Sequence, residues 1–445
     1  MKLTLIQPRM GCEGATDAMQ PLALGILAAQ TPPDVEVTLV DERVGDQLLF
    51  DDPTDLVALT VETFTAKRAY QIASRFRARG VPVVMGGFHP SLMTGEALRF
   101  ADSVVIGDAE GIWAGVIEDV RRGVLQRLYR QQSPPPLEGM WVDRTIFAEK
   151  SYAPIGLVQY GRGCRYACDF CSIRAFYHSH IRLRPVPEVV AEIASLERKL
   201  VFFVDDNLLS DPKAAEKLFR ALIPLNIRWA CQVSIDITSY PKLLDLMAES
   251  GCILALMGFE SLDEHNLRQM KKGWNLKIGD YEAAIKRLYE RGIMIYGTFV
   301  FGYDHDTSDA FSGSLEFAKR HKFCLANFNP LTPTPGTDLY RRLAAEKRLI
   351  FDSWWLDDRF RYGQATFHPR GMTAEELEQG CYWARCEFNR ATSILGRFLD
   401  LKSNLSSLAS AYTYIVANLI SKREIARKQG LRLGDGSRLG RLEEV

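Results

Sequence analysis

The most informative stretch of the sequence reads Gly161-Arg162-Gly163-Cys164-Arg165-Tyr166-Ala167-Cys168-Asp169-Phe170-Cys171. It follows a predicted strand, Leu157–Tyr160, and places Cys164, Cys168 and Cys171 at the spacing C-x3-C-x2-C. Three thiolates on one loop can bind three irons of a [4Fe–4S] cluster and leave the fourth iron open. The spacing therefore predicts an iron–sulfur cluster at the carboxyl end of a strand.

Two other interpretations of the same cysteines stay open. A structural zinc site closes with four ligands, commonly two Cys-x-x-Cys pairs, and His178 and His180 are the only histidines nearby. The second interpretation is three buried thiols without a metal, which would be unusual on a glycine-flanked loop. The remaining cysteines show no second cluster motif: Cys12, Cys231, Cys252, Cys324, Cys381 and Cys386.

The segment that contains this loop alternates predicted strands and helices. Six βα units within residues 151–345 predict a partial (β/α)6 barrel, whose chemistry sits at the carboxyl ends of the strands. The predicted strands are Leu157–Tyr160, Leu200–Asp205, Arg228–Ile235, Ile253–Phe259, Met294–Phe301 and Leu325–Leu331. The predicted helices between them are Val186–Lys199, Pro212–Leu222, Lys242–Ser250, Tyr281–Arg291 and Ser308–Arg320. Residues 346–445 predict a mostly helical region that packs on the barrel or caps it.

Residues 1–125, ahead of the barrel, predict a separate α/β domain. Apolar strands separated by amphipathic helices indicate a Rossmann-like parallel sheet with helices on both faces. Such a sheet binds ligands beyond the carboxyl ends of its strands. Residues 126–150 contain a Gln, Ser and Pro run and predict a linker. The predicted strands are Lys2–Gln7, Glu36–Asp41, Leu56–Thr60, Pro82–Met85 and Ser103–Ile106.

Composition excludes several classes of protein. The 445 residues include 55 Lys and Arg and 55 Asp and Glu, so the formal net charge is zero. A nucleic-acid partner bound through a bulk basic field is therefore not expected, and no polybasic anchor indicates a membrane partner. The N-terminus lacks the apolar region of a signal peptide, and Leu408–Ile420 is too short to span a bilayer. We expect a cytoplasmic protein whose cysteines are not paired in disulfides.

The cysteine loop and the strand ends after it resemble the radical S-adenosylmethionine (SAM) superfamily, in which SAM binds the open iron. The resemblance implies a [4Fe–4S] cluster on Cys164, Cys168 and Cys171, and SAM as cosubstrate. It also implies a set of SAM-binding positions at and after the strand ends. These positions are Phe170, Asp205, Asp206, Asn207, Ser234, Glu260 and Gly302.

An ordinary structural role stays open for most of these positions. Asp205 and Asp206 could cap the next helix, and Glu260 could form a salt bridge. Phe170 could be a core aromatic. Gly302 could serve a tight turn instead of admitting adenine close to the backbone.

The first domain resembles the cobalamin-binding-type domains that are fused to many radical SAM enzymes. Gly86-Gly87-Phe88-His89-Pro90 and Gly107-Asp108-Ala109-Glu110 carry the resemblance. The usual Asp-x-His-x-x-Gly motif for a cobalt ligand is missing after the first strand, and an acidic Glu62 lies where the nucleotide tail would bind. For His89, hydrogen bonds to backbone groups of its loop are the favoured interpretation, and a role as a ligand is the alternative. We therefore predict a domain of this shape that holds no cobalamin, with bound cobalamin as the alternative.

The resemblance implies reductive cleavage of SAM to a 5′-deoxyadenosyl radical that abstracts hydrogen from a small molecule. The favoured reaction is cobalamin-independent dehydration of a diol in an aminoglycoside-type amino sugar, as in radical SAM diol-dehydratases of the apramycin pathway. This reading implies antibiotic biosynthesis, a flavodoxin or ferredoxin as reductant and a nicotinamide-dependent reductase as a later partner. A cobalamin-dependent C-methyltransferase and a non-catalytic iron–sulfur scaffold are the alternatives. The sequence identifies no catalytic acid or base. The carboxylates expected to bind the polycation are Asp236, Glu260, Asp304 and Asp306.

Overall fold

A computed structural model describes residues 1–11 and 14–437, so Cys12 lies outside the described residues. The first domain is a six-stranded parallel sheet in the order β2-β1-β3-β4-β5-β6, which confirms the predicted Rossmann-like class. Its strands are β1 (Lys2–Gln7), β2 (Glu36–Asp41), β3 (Leu56–Thr60), β4 (Val83–Gly86), β5 (Ser103–Ile106) and β6 (Leu128–Arg130). Its helices are α1 (Leu22–Gln30), α2 (Ala66–Arg77), α3 (Phe88–Leu92), α4 (Thr94–Ala97) and α5 (Trp113–Arg121).

Strand β6 corrects the predicted linker. Leu128–Arg130 pairs in parallel with β5, with Val105 opposite Tyr129. The linker predicted over residues 126–150 therefore begins too early, because the first sheet continues to Arg130. The sequence does not show this strand because it is three residues long, exposed at Leu128 and Arg130, and lies at the edge of the sheet.

The second domain is a parallel sheet in the order β7-β10-β11-β12-β13-β14, with β7 and β14 as its edges. An open sheet of six strands with helices outside it confirms the predicted partial barrel. The strands are β7 (Gly156–Val158), β8 (Gly161–Arg162), β9 (Arg182–Leu183), β10 (Leu200–Phe203), β11 (Arg228–Gln232), β12 (Cys252–Glu260), β13 (Met294–Phe301) and β14 (Leu325–Pro330). The helices are α6 (Ser172–Tyr177), α7 (Val186–Ser195), α8 (Pro212–Leu222), α9 (Pro241–Glu249), α10 (Glu264–Gln269), α11 (Tyr281–Tyr289) and α12 (Asp309–Arg320).

The two faces of the barrel sheet pack against different parts of the chain. Side chains such as Phe203 and Trp229 point to the outer helices and form the main hydrophobic core. The opposite, inner face includes Leu254 and Met294, and it packs against Tyr414 of the C-terminal region. Helix α13 (Asp338–Ala345) follows the last strand, and the helices of the C-terminal region are α14 (Ala374–Phe388), α15 (Ala391–Phe398) and α16 (Leu408–Lys428). The C-terminal helices therefore cover part of the barrel's inner face.

The C-terminal region also completes the core of the first domain. Trp354 and Trp355 are fully buried, and they share a hydrophobic cluster with Tyr70 and Phe76 of α2. The Trp355 indole N–H donates to the carboxylate of Glu96, at 2.9 Å. One segment thus packs on both domains. Among the described residues, no helix has the length and hydropathy needed to cross a bilayer.

Candidate active site

A short antiparallel ribbon closes the base of the cysteine loop. Strand β8 lies just before Cys164 and pairs with β9, which follows α6. Between them, Gly163 has a φ of +91°, and a Cβ there would overlap the carbonyl oxygen of His180. Only glycine meets both conditions without strain. The loop therefore leaves the strand at a fixed angle, with its three cysteines beyond the ribbon.

The three thiols lie close enough to influence one another. Burial raises the pKa of Cys168 to about 12, the Lys272 ammonium opposes this shift, and Cys171 and Cys164 add to it. Burial also raises the pKa of Cys171, although the N–H groups of Arg174 and Ile173 at the start of α6 favour its thiolate. A buried set of three thiols with a nearby cation suits an anionic cluster bound at three corners.

The zinc alternative gains no support from the residues around the loop. In residues 1–11 and 14–437, no three Cys, His, Asp or Glu side chains converge as ligands of one metal ion. The Nδ1 atom of His180 lies 3.1 Å from the carbonyl oxygen of Tyr177, and this side chain is exposed. In a [4Fe–4S] site each thiolate binds a different iron, so the sulfurs need not converge on one point.

Asp205 and Asp206, which follow β10, bind the backbone of the cysteine loop. The Asp205 carboxylate accepts hydrogen bonds from the N–H of Tyr160 at 3.0 Å and of Gly161 at 2.5 Å. Asp206 accepts one from the N–H of Gly163 at 2.7 Å. Burial raises the pKa of Asp205 to about 7 and that of Asp206 to about 6. Both are positioning residues for the loop.

The helix-cap interpretation of these two acids is wrong. The cap of α8 is Asp211, whose side chain accepts from the N–H groups of Lys213 and Ala214. Asp205 and Asp206 instead bond to backbone groups more than 40 positions earlier in the chain. Their place directly after β10 puts them beside the end of β7, because neighbouring parallel strands end at one edge of the sheet.

Asn207 and Ser234 meet beside the first cysteine. The Asn207 amide nitrogen lies 3.1 Å from the Ser234 hydroxyl and 3.8 Å from the Cys164 sulfur. The Asn207 oxygen accepts from the Ser234 N–H at 3.2 Å. The structure thus brings two of the predicted SAM-binding residues together at one edge of the loop.

Glu260 forms a buried ion pair with Lys272, a residue that the sequence analysis did not identify. The Lys272 ammonium lies 2.7 Å from Glu260 Oε1, and both side chains are almost fully buried. Burial would lower the pKa of Lys272, but Glu260 and Cys168 outweigh burial and raise it. A Cβ on Gly258 would overlap Glu260 Oε1, so glycine leaves room for this pair. The observed ion pair agrees with the interpretation of Glu260 as a salt-bridge residue.

A second missed residue, Trp274, stacks on the loop itself. Its ring lies 3.7 Å from that of Tyr166, nearly parallel at 7°. The Tyr166 hydroxyl donates to Asp236 at 2.7 Å, and Arg165 pairs with the same carboxylate. The loop between the first two cysteines is therefore packed on one side and ion-paired on the other.

Asp169 fixes the far end of the loop. Its carboxylate accepts from the Tyr303 hydroxyl at 2.6 Å, and its N–H donates to the Met270 carbonyl. Phe170, next to it, is half-buried and packs against the barrel core. The predicted contact between Phe170 and adenine stays a prediction.

Gly302 lies in a tight turn, and its predicted contact with adenine stays a prediction. It has a φ of +111°, and a Cβ there would lie 2.9 Å from Phe367 and 3.0 Å from Leu377. Protein side chains therefore fill the space beside this glycine. Its N–H donates to Asp306 at 2.8 Å, which makes it part of a tight turn.

The carboxylates expected to bind an amino sugar already have partners. Asp304 lies 2.7 Å from Arg348 and 3.2 Å from Arg342. Asp306 is buried and accepts from the N–H of Gly302 and Tyr303. Asp236 pairs with Arg165, and Glu260 pairs with Lys272. Three of these four carboxylates are therefore already paired with a cation of the protein, although Asp236 Oδ1 has no hydrogen-bond partner among the described residues, and the fourth, Asp306, is buried and held by N–H groups.

A cavity of about 260 Å³ lies between the first sheet and the cysteine loop. Gly86, Gly87 and Gly107, which end or follow β4 and β5, form part of one wall. Phe176 of α6 forms part of the opposite wall and packs on Phe88, with ring centroids 4.5 Å apart. A second cavity of about 710 Å³ shares Gly107 and Phe176 with the first. Space for a large ligand therefore adjoins the loop.

A buried ion cluster joins the two domains beside this cavity. Arg162 donates to Asp108 at 2.8 Å and to Glu110 at 2.6 Å. Arg182 also pairs with Asp108. Burial would lower the pKa of Arg162, but Glu110 and Asp108 outweigh burial and raise it. Asp108 and Glu110 of the 107–110 motif thus hold Arg162, the residue that precedes Gly163.

His89 is satisfied by side chains, which corrects the expected backbone partners. Its Nε2 lies 3.0 Å from Glu96 Oε1 and its Nδ1 lies 3.4 Å from the Thr63 hydroxyl. Glu96 also accepts from Trp355 and from the Tyr70 hydroxyl. The imidazole is fully buried, so both of its nitrogens are already engaged.

A parallel half-barrel with a three-cysteine loop after its first strand defines an iron–sulfur enzyme that acts on SAM. The sequence pattern of the Radical SAM superfamily matches residues 158–318. Bacteriochlorophyllide d C-12(1)-methyltransferase of Chlorobaculum tepidum is 30% identical over 411 residues, which is 89% of each chain. This chain belongs to the radical SAM superfamily, and its cofactors are a [4Fe–4S] cluster and SAM.

Two further comparisons extend over both domains. Bacteriochlorophyllide d C-8(2)-methyltransferase of the same organism is 29% identical over 353 residues, 75% of this chain and 78% of that one. The structure of TsrM from Kitasatospora setae, a radical SAM methyltransferase with cobalamin and a [4Fe–4S] cluster bound, has a TM-score of 0.61. It is 17% identical and covers 78% of this chain and 75% of that chain, which shows a shared fold.

Proposed function

We propose that this chain is a cobalamin-dependent radical SAM methyltransferase whose cluster is held by Cys164, Cys168 and Cys171. The observation that carries the proposal is the 30% identity to a methyltransferase over 89% of both chains, a span that requires both domains. The second relative is a methyltransferase as well. Methyl transfer is therefore better supported than the diol dehydration favoured from the sequence.

The charges of the site support the same choice. An amino sugar needs unpaired carboxylates, and the four that were expected to bind it are held by Arg165, Lys272, Arg342 and Arg348 or by backbone N–H groups. Removing any of them from its partner to bind a substrate would leave a charge unpaired, which is costly when the charge is buried.

Two features of the first domain support cobalamin binding, although neither supplies a cobalt ligand. Its strand-end cavity of about 260 Å³ adjoins one of about 710 Å³. Glu62, which argued against a phosphate-bearing tail, is exposed, so water screens its charge. Since His89 is engaged by Glu96 and Thr63, cobalamin would bind here without His89 as an axial ligand.

The chain's own residues hold and shield the cofactors. When bound, cobalamin supplies methyl transfer, and the cluster with SAM supplies the radical that activates carbon. Asp205 and Asp206 orient the cysteine loop through its backbone, and Asn207 and Ser234 would face the SAM end beside Cys164. Phe176 and Phe88 close the wall between the domains and exclude water.

The experiment is anaerobic reconstitution with iron, sulfide and hydroxocobalamin, followed by SAM and dithionite in place of a flavodoxin or ferredoxin. We expect a bound cobalamin spectrum, and both S-adenosylhomocysteine and 5′-deoxyadenosine as products of SAM. The C168S variant should bind cobalamin and form no 5′-deoxyadenosine. A cluster-loaded protein that binds no cobalamin and yields only 5′-deoxyadenosine and methionine would contradict the proposal.

A further inference from the structure

A separate cavity of about 350 Å³ lies at the carboxyl end of β1, between the first domain and the end of α16. Gln7 and Pro8 come from the end of β1, and Glu62 follows β3. Strand β1 pairs with β2 on one side and β3 on the other. The order of the strands reverses there, which is where open parallel sheets bind ligands.

The walls of this cavity carry more positive than negative side chains. Its cations are Arg9, Arg43, Arg427 and Lys428, against the carboxylates of Asp17 and Glu62. Three of the cations have a carboxylate partner: Arg43 binds Asp41, Lys428 lies 2.9 Å from Asp17, and Arg427 lies 2.7 Å from Glu424. Arg9 and Arg427 decide what the cavity can bind.

Arg9 and Arg427 line the cavity, and among the described residues each has a buried donor without a partner. In the part of the chain that the structure describes, the buried Nε atoms of both side chains have no hydrogen-bond partner. Arg427 uses its other nitrogens on Glu424 and on the carbonyl of Gly14, whereas Arg9 donates to Glu42 from its backbone N–H. A buried guanidinium N–H without an acceptor is costly, so an anion supplied by a ligand would satisfy both.

Electrostatic interactions link the cavity wall to the inner face of the barrel. Tyr296 lies on that face of β13 and accepts a hydrogen bond from the Asn327 amide at 2.7 Å. Burial raises the pKa of Tyr296 to about 12, Asn327 opposes this, and Tyr362 and Asp17 from the cavity wall add to it. Glu62 lines this cavity and the one beside the cysteine loop. A ligand anchored here would therefore lie next to the cavity that adjoins the cysteine loop.

We propose that this cavity binds the anionic group of the substrate, a carboxylate or a phosphate, through Arg9 and Arg427. The assignment rests on the proposed function, since it names the class of substrate for that reaction. Guanidinium groups bind both anions through paired N–H donors. The phosphodiester of cobalamin has the same chemistry, so the test must separate the substrate from the cofactor.

The test uses the anaerobically reconstituted protein, with pyrophosphate and succinate as probes in calorimetric titrations. We expect Arg9→Gln to weaken binding of at least one probe by tenfold or more and Arg9→Lys to recover part of it. Arg220→Gln, at an exposed arginine of α8, is the matched control and should bind as the wild type does. Thermal unfolding of each variant shows whether it is folded.

Cobalamin content distinguishes the outcomes. If Arg9→Gln loses probe binding and keeps its cobalamin, the anion belongs to the substrate. If added cobalamin displaces the probe and Arg9→Gln loses cobalamin, the anion is the cofactor's phosphate and the substrate assignment is wrong. Equal binding by Arg9→Gln and Arg220→Gln, or no binding by the wild type, overturns the site. Failure of the proposed function appears separately, as absent S-adenosylhomocysteine.

Discussion

The carboxylate of Asp205 lies 2.5 Å from the backbone nitrogen of Gly161, so the end of one barrel strand holds the start of the cysteine loop. The same carboxylate accepts from Tyr160. Asp205, which the family resemblance places among the SAM-binding residues, therefore binds the protein backbone in this structure. Asp205 therefore holds the start of the loop, beside Asp206, which holds Gly163.

Replacing Asp205 with alanine should release the loop. Two buried N–H groups lose their acceptor, at roughly 1–3 kcal/mol each, and we expect both a lower melting temperature and less iron and sulfide per chain after reconstitution. Asp211→Ala is the control, because that acid also accepts from two N–H groups but caps an exposed helix start. It should cost about 1 kcal/mol and leave iron content unchanged. Equal iron content in both variants would show that Asp205 does not position the loop.

Gly163→Ala should prevent the loop from closing, since its Cβ would meet the His180 carbonyl at a φ of +91°. We expect loss of most of the cluster absorbance near 400 nm. Gly80→Ala is matched to it, with a φ of +77° and no atom within 4 Å of a Cβ. That control should lose only about 1 kcal/mol and bind a full cluster. A fully loaded Gly163→Ala protein would refute the steric argument.

Glu110→Gln removes one carboxylate from the buried cluster around Arg162. Breaking such a pair costs about 3–5 kcal/mol, and we expect the lower end because Asp108 still binds Arg162. The measurement is the free energy of unfolding in urea. Glu216→Gln breaks the exposed Arg220 pair on α8 and should cost less than about 0.5 kcal/mol. Similar losses in the two variants would mean that the interdomain cluster contributes no more than a surface pair.

Asp306 should make stability depend on pH. Burial raises its pKa to about 6 in the folded state, against 3.8 as its ordinary value. Between these values the unfolded chain binds fewer protons, so the free energy of unfolding falls as pH rises from about 4 to 6, by about 3 kcal/mol in total.

Asp306→Asn cannot ionise and lacks this contribution. Between pH 4 and pH 7 the wild type should therefore lose stability relative to the variant. The measurement is the free energy of unfolding in urea at each pH. A difference that stays constant across this range would show that folding does not raise the pKa of Asp306.

Local patterns were enough to predict the barrel strands and the helices outside them. Met294–Phe301 and Pro212–Leu222 are observed with the predicted bounds, because one is a long apolar run and the other begins with Pro behind an Asp cap. The cysteine spacing was equally local. Each of these signals is contained within a dozen residues.

The partners of the site residues were not visible in this way. Lys272 pairs with Glu260 across a helix, and Trp274 stacks on Tyr166 more than 100 positions away. No motif surrounds Lys272 or Trp274, so only the folded chain shows that they border the cysteine loop. The same is true of Gly302, whose open side is filled by Phe367 and Leu377 from the C-terminal region.

Trp354 and Trp355 complete the interior of a domain whose first strand begins at Lys2. A ribosome releases the N-terminus first, so this interior stays unfinished until the whole half-barrel has been translated. The nascent first domain therefore presents apolar surface of the kind that chaperones bind. The cysteine loop, in turn, leaves the ribosome before α15 and α16, which cover part of the barrel's inner face.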